Sequence, residues 1–193
     1  MILRILIILT CLASHTVFAD PVAPGARLSD LSITDKGELL LSDGDVAYKP
    51  WSYPQQPGKV HVVQYMAATM SASKIQEPFR DKMGTDLPQD NVFLSTTILN
   101  MDEAMWGTSG MVVGELKSSK QEFPLAVMVV DEKGAGLSQW RLEKDNSALI
   151  VTDAAGVVRY FKQGAMSEAE INSTLALIRQ YIDRDSAART AQH

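Results

Sequence analysis

The sequence has 193 residues, with 18 Lys and Arg against 23 Asp and Glu, a formal net charge of −5 and 46% hydrophobic residues. Mild, scattered acidity excludes the basic stripe that a nucleic-acid binder needs, and the length fits one domain with its own core. A single cysteine, Cys11, excludes an intramolecular disulfide.

The chain opens with one positive charge, Arg4, an apolar run from Ile5 to Ala13, and then Val17-Phe18-Ala19 ahead of Asp20. Small residues at −3 and −1 suit a signal peptidase, so the pattern predicts a signal peptide over 1–19, cleaved after Ala19. The apolar run is too short to stay behind as a membrane-spanning helix, so no stable membrane anchor is expected. Ile8-Leu9-Thr10 before Cys11 fits a lipid-attachment box poorly. In a two-membrane bacterium the product is expected to be periplasmic: a single domain over 20–183, then a polar, disordered tail over 184–193. Cleavage removes Cys11, so the mature chain rests on packing alone.

Further along, Leu31–Ile33 and Leu39–Leu41 flank the turn signal Asp35-Lys36-Gly37, which predicts an N-terminal β-hairpin. Val60–Ala67 is a dense β-branched run and reads as a buried central strand. From Ser71 the spacing of Ile75, Phe79 and Met83 is helical, with Pro78 inside as a kink. A second strand is predicted over Val92–Leu99, a helix over Ser109–Lys120 and a third strand over Ala126–Val130. Two more strands, Ala148–Thr152 and Val157–Gln163, are joined through Asp153-Ala154-Ala155-Gly156. Ser167 and Glu170 form a capping box for a last helix with the stripe Ile171, Leu175, Ile178, Ile182. Strands alternating with helices and ending in a hairpin imply an α/β domain with a mixed sheet covered on both faces.

This order resembles the thioredoxin order. Ala67-Ala68-Thr69-Met70-Ser71-Ala72-Ser73-Lys74 lies where thioredoxins carry Ala-x-Trp-Cys-Gly-Pro-Cys-Lys, and Pro78 lies where their active-site helix has its proline. Ser147–Asp153 with Gly156 resembles the Pro-Thr-x-apolar-apolar-Ile-Asp…Gly stretch of exported thiol reductases, and Gly164-Ala165-Met166-Ser167-Glu168 their closing Gly-x-x-Ser-Glu. Within that superfamily the chain is most similar to the YtfJ family of small periplasmic proteins, through Ile33–Leu39, Gly58-Lys59-Val60, Thr97–Asn100, Ser109-Gly110-Met111, Val129-Val130-Asp131 and Ser147-Ala148. The resemblance implies a thioredoxin-like three-layer sandwich with an N-terminal β-hairpin extension.

Against the thioredoxin pattern, the two cysteine positions hold Met70 and Ser73, and the cis-proline position holds Ser147. A thioether has no proton to lose and a serine hydroxyl cannot exchange disulfides. A non-proline cis bond costs about 2.5–4 kcal/mol, so a trans bond is expected before Ser147. The expectation is therefore a redox-inactive protein that binds a periplasmic protein or peptide in the groove of the former redox site, with Met70, Ser71, Ser73, Ser147 and Trp106 as candidate binding residues.

Two other classes stay open. A cysteine-independent enzyme at the same surface needs an activated nucleophile, and Ser71 and Ser73 lack an evident base. His61 reads as a hydrogen-bonded strand residue, His193 ends the chain, and no Gly-x-Ser-x-Gly elbow occurs. Asp102 and Glu103 at a strand end read as solvated loop charges. A copper-binding accessory protein is the other alternative, because Met66, Met70, Met101, Met105 and Met111 supply thioethers. Methionine is more often core filling, and Asp43-Gly44-Asp45 is too short for a calcium loop. No metal or cofactor is expected.

Overall fold

Three parallel strands form the centre of the molecule: β3 (His61–Ala67), β4 (Leu94–Asn100) and β5 (Val127–Asp131). The computed structural model describes residues 22–190 apart from 43–44, 56–57, 89, 91, 105–106 and 108. The predicted signal peptide over 1–19, Cys11, Trp106, Met105 and His193 therefore lie outside the described residues.

The hairpin β1 (Leu31–Ser42) and β2 (Asp45–Tyr53) joins antiparallel to β5. On the other side, β6 (Ser147–Thr152) lies antiparallel to β3 and pairs with β7 (Val158–Gln163). The result is a seven-stranded mixed sheet in the order β2-β1-β5-β4-β3-β6-β7. The helices are α1 (Met70–Ile75), α2 (Glu77–Asp86), α3 (Ser109–Glu122), α4 (Ala135–Gln139) and α5 (Glu168–Thr190).

Every residue of β3 is buried, as a central strand covered on both faces requires. Alternation then divides the core. Val63 and Tyr65 point to the face where Ile98, Val129 and Ile150 meet Trp51, Tyr53 and Trp140, under α4 and the first half of the hairpin. Val62 and Met66 point to the other face. There α2 and α5 close one half of the sheet with Phe79, Leu175 and Ile178, and α3 closes the far half with Leu116 against Leu99, Met128 and Val130.

The structure differs from the sequence reading in four places. The Asp35-Lys36-Gly37 signal does not turn the hairpin: both apolar runs belong to β1, and the chain reverses between Ser42 and Asp45. The signal marks a wide bulge instead, where the register jumps from Ile33–Trp51 to Glu38–Lys49 and Gly37, at φ +79°, meets Val130 of β5. The bulge lets one strand cover a face with its first half and join the sheet edge with its second.

Pro78 does more than kink a helix. The helix breaks at Gln76 (φ −114°, ψ 15°), and α2 restarts with the proline in its first turn, where the missing N–H costs nothing. The short α4 after β5 was not foreseen. The last helix continues to Thr190 rather than ending at Asp183, and Arg184 lies 6.0 Å from the centre of the Tyr181 ring within this extension.

Candidate functional site

β3 delivers the chain through Ala68 and Thr69 to the first turn of α1, the position at which the thioredoxin pattern places its redox motif. Thr69 caps the helix, its hydroxyl accepting from Ala72 N at 3.2 Å. Ser71 and Thr69 hydroxyls lie 3.1 Å apart, and Ser73 Oγ donates to the Met70 carbonyl at 3.0 Å. Met70, between them, is 71% exposed. Among the described residues neither serine hydroxyl contacts a base.

Ser147 lies beneath this turn and is 1% exposed. Its hydroxyl donates to the Ala72 carbonyl at 2.6 Å, and its own carbonyl accepts from Gly164 N at 2.9 Å and from Gln76 Nε2 at 3.3 Å. Among the described residues the only cis peptide is Tyr53-Pro54, so the bond before Ser147 is trans, as expected. A side chain buried and engaged in this way positions α1 and offers nothing to a partner.

A groove of about 1560 Å³ opens on the sheet face between α1–α2 and α3. Gln64, Met66, Thr97, Leu99 and Met128 form its floor, and Leu116 and Met111 stand on the α3 side. Of the anticipated site residues, Met70 and Ser73 line it; Ser71 is exposed outside it, Ser147 is buried under α1, and Trp106 lies outside the described residues. Met66, Met70 and Met111 share this groove, whereas Met101 packs against the cluster around Met66 and Leu99.

Sequence reading missed four contributors. Gln64 is 1% exposed and its Oε1 has no partner; its signal was a lone amide inside an otherwise apolar strand. Arg80 donates from Nη2 to the Ser73 carbonyl at 2.5 Å, capping a helix end freed by the break at Gln76, while its Nη1 is buried without a partner. Burial pushes the Arg80 guanidinium below its ordinary value, and the charges of Glu77 and Asp81 oppose that shift. Phe123 and Leu125, beyond α3, supply apolar surface at the far end.

The other candidates are structural. Glu103 accepts from Asn100 Nδ2 at 2.6 Å and from Asp145 N at 2.7 Å, tying the end of β4 to the loop before β6. His61 sits with Thr96 Oγ1 2.7 Å from its Nε2 and stacks on Tyr53 at 5.5 Å. Burial pushes its pKa down to about 3, so it is a neutral strand residue beside a small cavity of about 170 Å³. Asp131 accepts from Tyr65 Oη at 2.9 Å and from the backbone N–H groups of Ala135 and Gly136, which holds α4 in place.

A mixed sheet of this order, with the β3–α1 junction at its centre, is the thioredoxin-like fold. A thiol-disulfide isomerase from Corynebacterium glutamicum superposes with a TM-score of 0.55 at 18% identity, over 80% of this chain and 96% of that one. The thioredoxin domain of a thiol-disulfide oxidoreductase from Bacteroides vulgatus gives 0.55 at 14% identity, over 81% and 99%.

Residues 22–181 match the family described as bacterial protein of unknown function (YtfJ_HI0045), and the chain belongs to that family. It is 33% identical over 184 residues to the uncharacterized protein YtfJ of Escherichia coli K12, covering 94% of this chain and 100% of that one. An uncharacterized protein of Haemophilus influenzae is 30% identical over 165 residues, 86% of this chain and 90% of that one. With Cys11 its single cysteine, the chain has no Cys-x-x-Cys pair.

Proposed function

We propose that this chain is an exported, redox-inactive thioredoxin-fold protein that works as a binding module, holding a protein or peptide partner in the groove beside the former redox site. One observation carries the reading. Among the described residues the large apolar side chains that stand exposed are Met70, Met111, Phe123 and Leu125, and all of them line this groove. A soluble domain rarely gathers such side chains around one concavity unless something docks there. Methionine supplies an adaptable lining.

The redox part rests on Met70 and Ser73, neither of which can carry a thiolate or resolve a mixed disulfide. The structural neighbours named as thiol-disulfide enzymes share the scaffold, and this chain keeps the scaffold without the thiols. The periplasmic address rests on Arg4, the Ile5–Ala13 run and the Ala19 boundary. Among the described residues no helix is long and apolar enough to cross a membrane.

Crosslinking of the full chain in cells, followed by purification, tests the groove. Met70→Asp with Met111→Asp is expected to remove the crosslinked species, and an unchanged set overturns the reading. Insulin reduction tests the redox part: no turnover is expected, and measurable turnover overturns it. N-terminal sequencing of the exported chain is expected to begin at Asp20.

A further inference from the structure

The walls of the groove carry information about its occupant. Gln64, 1% exposed at the floor, and Arg80, on the α2 side, both line the groove, and Gln64 Oε1 and Arg80 Nη1 are buried without a hydrogen-bond partner among the described residues. Buried polar atoms are almost always paired, and an acceptor and a donor left over on two residues of one lining are complementary to a ligand that offers both. An extended backbone offers N–H and C=O groups in alternation along its length. It can satisfy both.

Charge on the rim narrows the side chains. Glu77, Asp81, Glu115 and Glu122 line the groove in exposed positions, with Lys74 the exposed cation among them. None of the four carboxylates forms an ion pair with a described Lys or Arg. Beneath them the lining is apolar: Met66, Leu99, Leu116 and Met128. A strand laid in the groove sends alternate side chains inward to this surface and outward to the acidic rim.

We propose that the groove takes an extended peptide segment with apolar side chains facing in and Lys or Arg facing out. Gln64 Oε1 accepts one of its backbone N–H groups, and Arg80 Nη1 donates to one of its carbonyls. The inference rests on the binding-module reading above and adds the chemistry of the partner. An acidic segment is disfavoured, because its outward charges meet like charges on the rim.

The test uses the mature chain and two fluorescent pools of acetylated, amidated decapeptides, in which apolar residues alternate with lysine in one and with glutamate in the other. Anisotropy is expected to show the lysine pool binding about ten-fold more tightly, with a preference that shrinks as salt rises. Glu115→Lys with Glu122→Lys, on the exposed side of α3, is expected to erase that preference. Gln64→Leu removes the unpaired acceptor without removing volume and is expected to weaken both pools several-fold with no loss of thermal stability. Equal binding of the two pools, or pool preference untouched by the charge reversal, overturns the charge assignment. Unchanged affinity in Gln64→Leu overturns the backbone contact. If the pools bind equally and Met70→Asp abolishes both, the groove reading stands and this inference falls. If neither pool binds, both fall.

Discussion

The hydroxyl of Ser147 donates to the carbonyl of Ala72 at 2.6 Å, across the junction between β6 and the first turn of α1. Ala72 is fully buried and Ser147 is 1% exposed, so no water replaces that bond if it is lost. Ser147 thereby fastens α1 to the end of the central sheet. Ser147→Ala is expected to cost about 1–3 kcal/mol, the penalty of an orphaned buried acceptor. A lowered urea midpoint with an unchanged slope checks it.

His61 gives the chain an acid limb of its own. The unfolded chain takes up a proton on this residue near the ordinary histidine value of about 6.5, whereas the folded chain refuses it until about pH 3 because the ring is buried. The unfolded state therefore binds more protons between those values. The stabilisation is complete above about pH 6.5 and is lost as pH falls, amounting to about 2 kcal/mol by pH 5. Carboxylates such as Glu170, held low by the Ser167 N–H and then by Lys162, add their own loss from the ordinary carboxylate range downwards, so the histidine limb is read above it. Stability measured by urea from pH 7 to pH 5 is expected to fall in the wild type and to flatten in His61→Gln. Parallel curves would remove His61 as the cause.

Much of the fold was legible because its signals are local. The wholly buried run of β3 around Val62 and Val63, the capping box Ser167–Glu170 with its stripe of Ile171, Leu175, Ile178 and Ile182, and the turn at Asp153–Gly156 each act within a few residues. What failed depends on distant parts of the chain. Gly37 looked like a hairpin turn because glycine after Asp-Lys is a turn signal, yet whether the strands separate there depends on β5 arriving at Val130. The helix α4 has five residues and no apolar period to read; it exists because Asp131 and Tyr65 hold its first turn. In the site, Met70 and Ser73 were legible against a known pattern. Gln64 and Arg80 were not, because an amide in a strand and an arginine on a helix gain meaning only when the groove brings them to one lining.

Gly37 itself permits a direct check. At φ +79° an added Cβ is strained, and it would press on the Lys49 carbonyl oxygen and come 2.9 Å from Trp51 N, both rigid backbone atoms of β2. Gly37→Ala is expected to cost more than about 1 kcal/mol, beyond the conformational effect alone. Because Trp51 packs in the core beneath, its fluorescence should change with the loss of stability. A variant as stable as the wild type would mean the bulge relaxes freely.

The first turn of α1 can be tested directly for the geometry that a dithiol site requires. Met70 opens α1 and Ser73 lies one turn on, so their side chains share a helix face within the reach of a disulfide. The N-terminal end of a helix favours a thiolate. In the double variant Met70→Cys with Ser73→Cys, mild oxidation is expected to close an intramolecular disulfide, read as protection from alkylation and the loss of two hydrogens in the mass. In Met70→Cys alone, the pH profile of alkylation is expected to place the thiol below the ordinary value of about 8.5. Full oxidation with a low thiol pKa would show that the first turn of α1 keeps the geometry and polarity of the redox site, so that the chemistry was lost with two side chains. A double variant that stays reduced would show instead that Thr69, Ser147 and Arg80 now hold this turn in a shape of its own.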